Sequence, residues 1–178
     1  MSPTAKRNLE LQDLGKGLPA ITPAYGTGLA EAGAVCFEDN GHCCGVLMEV
    51  QGHLSDSFAV HWPTVTQQMR LCWNDLEFTT EQGAYGVAFL VLLALTPFTV
   101  IRRSRKGPHF DYWLGYKDSV LFQGAARLEV SGIRKGDTTH VNARVKQKFG
   151  RAENSPNSLP LYVAVVEFGK PTSKVVKG

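Results

Sequence analysis

Two carboxylates in this chain stand where chemistry could be done. Asp111 lies in Phe110-Asp111-Tyr112-Trp113-Leu114-Gly115, and Glu129 lies in Arg127-Leu128-Glu129-Val130-Ser131. Both runs have strand character. Successive side chains on a strand alternate faces, so Arg127, Glu129 and Ser131 share one face while Leu128 and Val130 turn to the other. A polar face is therefore set on a strand otherwise committed to the core. Mg²⁺ or Mn²⁺ takes hard oxygen ligands, commonly one or two carboxylates with waters and a phosphate completing the shell. Two carboxylates on neighbouring strands supply that pattern, and such an ion could polarise a phosphate and activate a water for in-line attack. A structural alternative stands beside it: Asp111 as a strand-start cap and Glu129 as the ion-pair partner of Arg127.

The elements that must hold these residues can be read from the pattern around them. Thr79 followed by Gln82 reads as a capping box opening a helix to about Leu95, apolar nearly all round and therefore buried. Gly83 and Gly86 inside it would allow close packing. Pro97 ends the helix, and runs of strand character follow at 98–103, 110–116 and 125–133. Asp137 or Thr138 could cap a helix through Lys148. The apolar run 161–168 reads as a strand buried on both faces. Upstream, 34–38 and 43–50 read as strands joined by an Asn40-Gly41 hairpin turn, and 57–62 completes an N-terminal β-meander over 34–62. Residues 64–75 can form a short helix, residues 1–30 read as an arm, and 169–178 as a loose basic tail.

The succession helix, strand, strand, strand, helix, strand over 79–168, with an Asp at the second strand and a Glu in the third, resembles the common core of the PD-(D/E)XK nucleases. The resemblance implies a restriction-endonuclease-like αβββαβ fold of the α/β class (α+β, mixed sheet). It implies Asp111 and Glu129 as ligands of Mg²⁺ or Mn²⁺, with Glu81 on the first core helix as a third. Phosphodiester hydrolysis of nucleic acid is the implied activity. The chain departs from the family at Ser131, which stands where a lysine two residues after the Glu is usual. Serine can hold a water or a phosphate oxygen but supplies no cation. Lys146 or Lys148, on the following helix, is the candidate to reach the site in its place. Arg102, Arg103, Arg105 and Lys106 before Asp111, and Arg144 and Arg151 on the helix, could attract a phosphate backbone. Tyr112 and Trp113 read as packing residues.

The remaining features bound the reading. The chain has 178 residues, 43% of them hydrophobic and 20% charged, with net charge +3. That is ordinary globular usage for one domain, and the charge permits a polyanionic partner without demanding one. Cys36, His42, Cys43 and Cys44 lack the spacing of a zinc knuckle. His53 and His61 have no nucleophile in a recognisable arrangement, and there is no phosphate-binding glycine loop, so no small-molecule cofactor is expected. No signal-like segment opens the sequence, which points to the cytoplasm and free thiols. Residues 82–101 carry no charge and precede a basic flank, so a membrane span is a further alternative, although Pro97 divides it. Another is a nuclease-fold subunit without activity that binds nucleic acid, a protein partner or a second copy of itself.

Overall fold

The computed structural model describes residues 7–153 and 158–178. Its strands are β1 (Arg7–Glu10), β2 (Val46–Gly52), β3 (Asp56–His61), β4 (Phe98–Arg103), β5 (Tyr112–Tyr116), β6 (Ala126–Ile133), β7 (Leu161–Glu167) and β8 (Thr172–Lys177). The helices are α1 (Pro23–Asp39), α2 (Gln67–Cys72), α3 (Leu76–Leu95) and α4 (Thr138–Glu153), with a short 3-10 helix at Leu11–Lys16. All the strands join one mixed sheet in the order β1-β3-β2-β8-β7-β6-β5-β4. The architecture is a mixed α/β fold.

From β4 the chain runs antiparallel to β5 and on to β6, then crosses through α4 to lie parallel in β7. The two sheet faces have different covers. Leu128 and Val130 of β6 join Tyr162, Ala164 and Val166 of β7 under α1 and α3, which bring Phe37 and Phe89 to the same core. Leu161, Val163 and Val165 turn the other way and meet Val141 and Val145 of α4. β7 is buried along its whole length, because both faces are covered.

Helix α3 starts earlier than the Thr79–Gln82 pattern predicts. Asp75 accepts the Phe78 amide at 2.9 Å and is the true cap. Thr79 lies inside the helix with its hydroxyl on the Trp73 carbonyl at 2.9 Å, and Gln82 accepts from the Tyr25 hydroxyl at 2.8 Å, so the capping box does not form. A charged acceptor at the positive end of the helix outcompetes a hydroxyl four residues on. By length and composition α3 could cross a membrane, with mean hydropathy 1.3, but 72% of that apolar window is buried within the fold. It is a core helix wedged between α1 and the sheet. A Cβ at Gly83 would lie 3.1 Å from the Gly33 Cα, so the two helices touch backbone to backbone there.

The N-terminal third corrects the expected meander. Residues 34–38 are the end of α1, and Asn40-Gly41 closes that helix instead of turning a hairpin. Gly41 has φ +80° and donates to Glu38 O at 2.8 Å, while the His42 amide reaches Phe37 O at 3.2 Å. Hairpin turns and helix C-termini both ask for a left-handed residue, so one dipeptide serves either. The hairpin that does form joins β2 to β3. From Arg7 onward the expected arm is structured, its first six residues lying outside the described ones: β1 pairs in parallel with β3, and Leu9, Leu11, Leu14 and Ile21 are buried. The tail contains β8, which pairs with both β7 and β2. The helix expected over 64–75 is shorter, capped by Thr66.

Candidate active site at the Glu129–Lys148 contact

Asp111 directly precedes β5. Its amide donates to Leu128 O at 2.8 Å, and its Oδ2 accepts the Val130 amide at 2.8 Å. These two bonds fold the carboxylate over β6 beside Glu129. The Glu129 side chain is 9% exposed, and its Oε1 accepts from Lys148 Nζ at 2.7 Å. Burial, then the charge of Asp111, push the Glu129 carboxyl up to about 7, against the opposing pull of Lys148. Two carboxylates in a half-dry site repel, and Lys148 offsets only one of them.

Lys148 arrives there by a match of periodicities. Arg144 Nη1 donates to Ser131 Oγ at 2.7 Å, and one helical turn later Lys148 meets Glu129, two residues back along β6. A turn of four residues rises about 6 Å, and two strand residues span about 6.6 Å. The row 144/148 on α4 therefore lies antiparallel along the row 131/129 on β6. Lys146, half a turn away, is exposed and takes no part in that row. The two lysine candidates are separated by this register.

Glu81 stands one turn before Tyr85 on α3. The Tyr85 hydroxyl lies 3.5 Å from Glu81 Oε1 and also hydrogen-bonds to Asp111, so its ionisation is driven far up, first by burial and then by those two negative charges. Glu81 thus joins the carboxylate pair through Tyr85 and not by direct contact. Two open clefts border the site. One, of about 530 Å³, is lined by Glu81, Ser131, Arg134, Arg144 and Lys148. The other, of about 590 Å³, is lined by Tyr85, Arg103, Arg105, Lys106, Asp111 and Glu129. The Glu129–Lys148 pair sits at their border.

The basic residues expected to meet a phosphate backbone divide into three groups. Arg105 and Lys106 are exposed on the second cleft, and Arg144 lines the first. Arg103 is committed elsewhere, donating to the Tyr112 hydroxyl at 2.6 Å and the Tyr25 hydroxyl at 3.0 Å, in a network that ends at Gln82. Arg102 lies over the Trp113 ring at 5.2 Å and lines neither cleft, and exposed Arg151 lines neither as well. Arg127 does not pair with Glu129. Its guanidinium donates to the carbonyls of Leu159 at 3.0 Å and Ala152 at 3.4 Å.

Sequence reading missed Tyr85 and Arg134. Tyr85 had a signal, since Glu81 and Tyr85 are a polar pair at i, i+4 on an otherwise apolar helix. Arg134 had none, because it follows β6 in a turn. The zinc candidates do not gather: Cys36 is buried with its thiol 3.5 Å from Thr79 O, and the His42 ring lies on Phe168 O at 2.8 Å, while Cys44 Sγ meets, of the Cys and His side chains, only His61 Nδ1, at 3.8 Å. Among the described residues no group of three or more His, Cys, Asp or Glu side chains is placed to hold a metal ion. Asp111 and Glu129 alone offer the carboxylates of a Mg²⁺-type shell, in which water and substrate oxygens supply the rest. Lys148 offsets one of the two charges, and the repulsion that remains is what a divalent cation between the carboxylates would relieve, so their chemistry fits such an ion. Compared with protein-family models, curated proteins and solved structures, the chain matches none.

Proposed function

We propose that the protein is a metal-dependent nuclease with a restriction-endonuclease-like core over 79–168. The observation that carries this reading is Lys148 Nζ on Glu129 Oε1 at 2.7 Å, which brings a cation from α4 to the point where Ser131 supplies none. Asp111 and Glu129 would hold Mg²⁺ or Mn²⁺, which when bound supplies a Lewis acid and a water of lowered pKa. Lys148 would orient a water or a phosphate oxygen there through a hydrogen bond from its ammonium. Ser131, fixed by Arg144, adds a hydroxyl beside them. Tyr85 keeps its proton and holds the Asp111 carboxylate in place.

Cleavage of single- and double-stranded DNA and RNA in Mg²⁺ and Mn²⁺ tests this directly. Asp111→Ala, Glu129→Ala and Lys148→Ala should each lose about a hundredfold or more in rate, in the range of general acid–base and positioning effects, while Lys146→Ala stays within about twofold. Wild type that is inert in both metals, or variants that cut as well as wild type, would defeat the proposal. A second reading, a subunit that acts by binding, is favoured by the β5–β6 loop, where Val120, Leu121 and Phe122 are 89%, 82% and 58% exposed. It predicts an inert protein that copurifies with one stoichiometric partner.

A further inference from the structure

The second cleft holds a cation that the fold immobilises without using up. Arg103 pairs with Tyr112 in the β4–β5 ladder, and the next residue, Ser104, donates its amide to Asp111 O at 2.8 Å, so Arg103 stands one ladder step from Asp111. Its Nε and Nη2 donate to the Tyr112 hydroxyl at 3.0 and 2.6 Å, and Nη2 also reaches the Tyr25 hydroxyl. The rings of Tyr25, Tyr85 and Tyr112 surround the guanidinium, their centroids 5.7, 5.9 and 5.1 Å from Cζ. Nη1 remains without a hydrogen-bond partner among the described residues, on a side chain that is exposed and lines the cleft. An arginine held in this way has already given up much of the rotamer freedom that binding would otherwise cost. Arg105 and Lys106 stand exposed on the same cleft, and among the described residues its only carboxylates are Asp111 and Glu129. The first cleft also has cations, but Glu77 and Glu81 line it with them. A polyanion is therefore drawn to the second.

We propose that the second cleft seats a single nucleic acid strand, Arg103 Nη1 donating to the phosphate next to the scissile one while Arg105 and Lys106 follow the backbone outward. The proposal rests on the nuclease reading and deepens it by naming the form of the substrate and its path. A guanidinium whose other nitrogens are fixed presents its donor in one direction, and phosphate oxygens accept it with a charge-assisted bond. The cleft volume, about 590 Å³, is that of a pocket enclosing one small ligand. A strand lying at the carboxylates leaves no room there for its complement. Basic grooves that track one backbone are how proteins hold unpaired strands.

Fluorescence anisotropy of a short labelled strand and of its blunt duplex, with Ca²⁺ replacing Mg²⁺ to slow turnover, tests the cleft. Wild type should bind the strand at least about tenfold more tightly than the duplex. Arg103→Lys keeps the charge but loses the fork, so strand affinity should fall about tenfold with the salt slope unchanged. Arg105→Gln removes one phosphate contact, so it should weaken binding and flatten the salt slope by about 0.7. Lys174→Gln, on β8 with its amine on Asn142, is the control and should bind within about twofold of wild type. Thermal melts confirm that each variant is folded, and Arg105→Gln, on an exposed side chain, decides the matter if Arg103→Lys is not. Variants that bind the strand as wild type does, or a duplex bound as tightly as the strand, while wild type still cleaves, overturn the cleft assignment and leave the nuclease reading intact. Wild type that neither binds nor cleaves overturns both.

Discussion

Replacing Glu129 by glutamine should abolish a titration that the fold makes unfavourable. Burial and Asp111 raise this carboxyl from an ordinary 4.5 to about 7, and its side chain is only 9% exposed. The folded protein thus keeps a proton that the unfolded chain has already released. Its stabilising effect is complete below the unfolded value near 4.5 and is lost as pH rises through about 7. At about 1.4 kcal/mol per pKa unit, wild type should lose roughly 2–4 kcal/mol relative to Glu129→Gln across that window. Urea unfolding of both proteins at half-unit steps from pH 4.5 to 8 measures the difference. Mn²⁺ competes with the same proton, so its affinity for wild type should climb about tenfold per pH unit up to about 7 and then level. Calorimetric titration reads this second effect. A wild-type minus variant difference that is constant with pH, or Mn²⁺ affinity that is flat from pH 5.5 to 7, would refute the reasoning.

Two further substitutions probe the frame around the site. Gly132→Ala puts a Cβ 2.5 Å from Thr80 O, forcing α3 away from β6, and should lower stability by roughly 1–3 kcal/mol; a melting temperature equal to wild type would contradict that close approach. Glu167→Gln should lose roughly 2 kcal/mol in urea unfolding, because this buried carboxylate accepts the amides of Gly136 at 3.0 Å, Gly169 at 2.6 Å and Lys170 at 2.6 Å.

The second half of the chain was legible because its signals were local and consistent. Pro97, the β-branched runs of β4 and β6, and the wholly apolar β7 each pointed one way, and their observed limits differ from the expected ones by two residues or fewer. At the site, alternation along β6 placed Arg127, Glu129 and Ser131 on one face, but it could not choose between Lys146 and Lys148. That choice depends on the register of α4 against β6, which is a tertiary fact. The first half misled because short apolar runs such as 34–38 suit a helix end as well as a strand. In β8, Lys174 and Lys177 masked a strand of which only Ser173 and Val175 are buried.

That strand has a consequence for how the molecule comes together. Among the described residues β8 is the sole seam between the two parts of the sheet, pairing with β7 on one side and with β2, more than one hundred residues earlier, on the other. The β1-β3-β2 ribbon and the β4–β8 part, whose last two strands form a local hairpin, can each form their own ladders beforehand, but they become one sheet only when β2 pairs with β8. Until then β2 and β8 both present open edges, the kind of surface that recruits strands from other molecules. Joining them is a long-range closure, slow by the loop entropy it must overcome. The lysines of β8 thus lie on the edge that stays open until β2 pairs with it, and their charge opposes intermolecular pairing there.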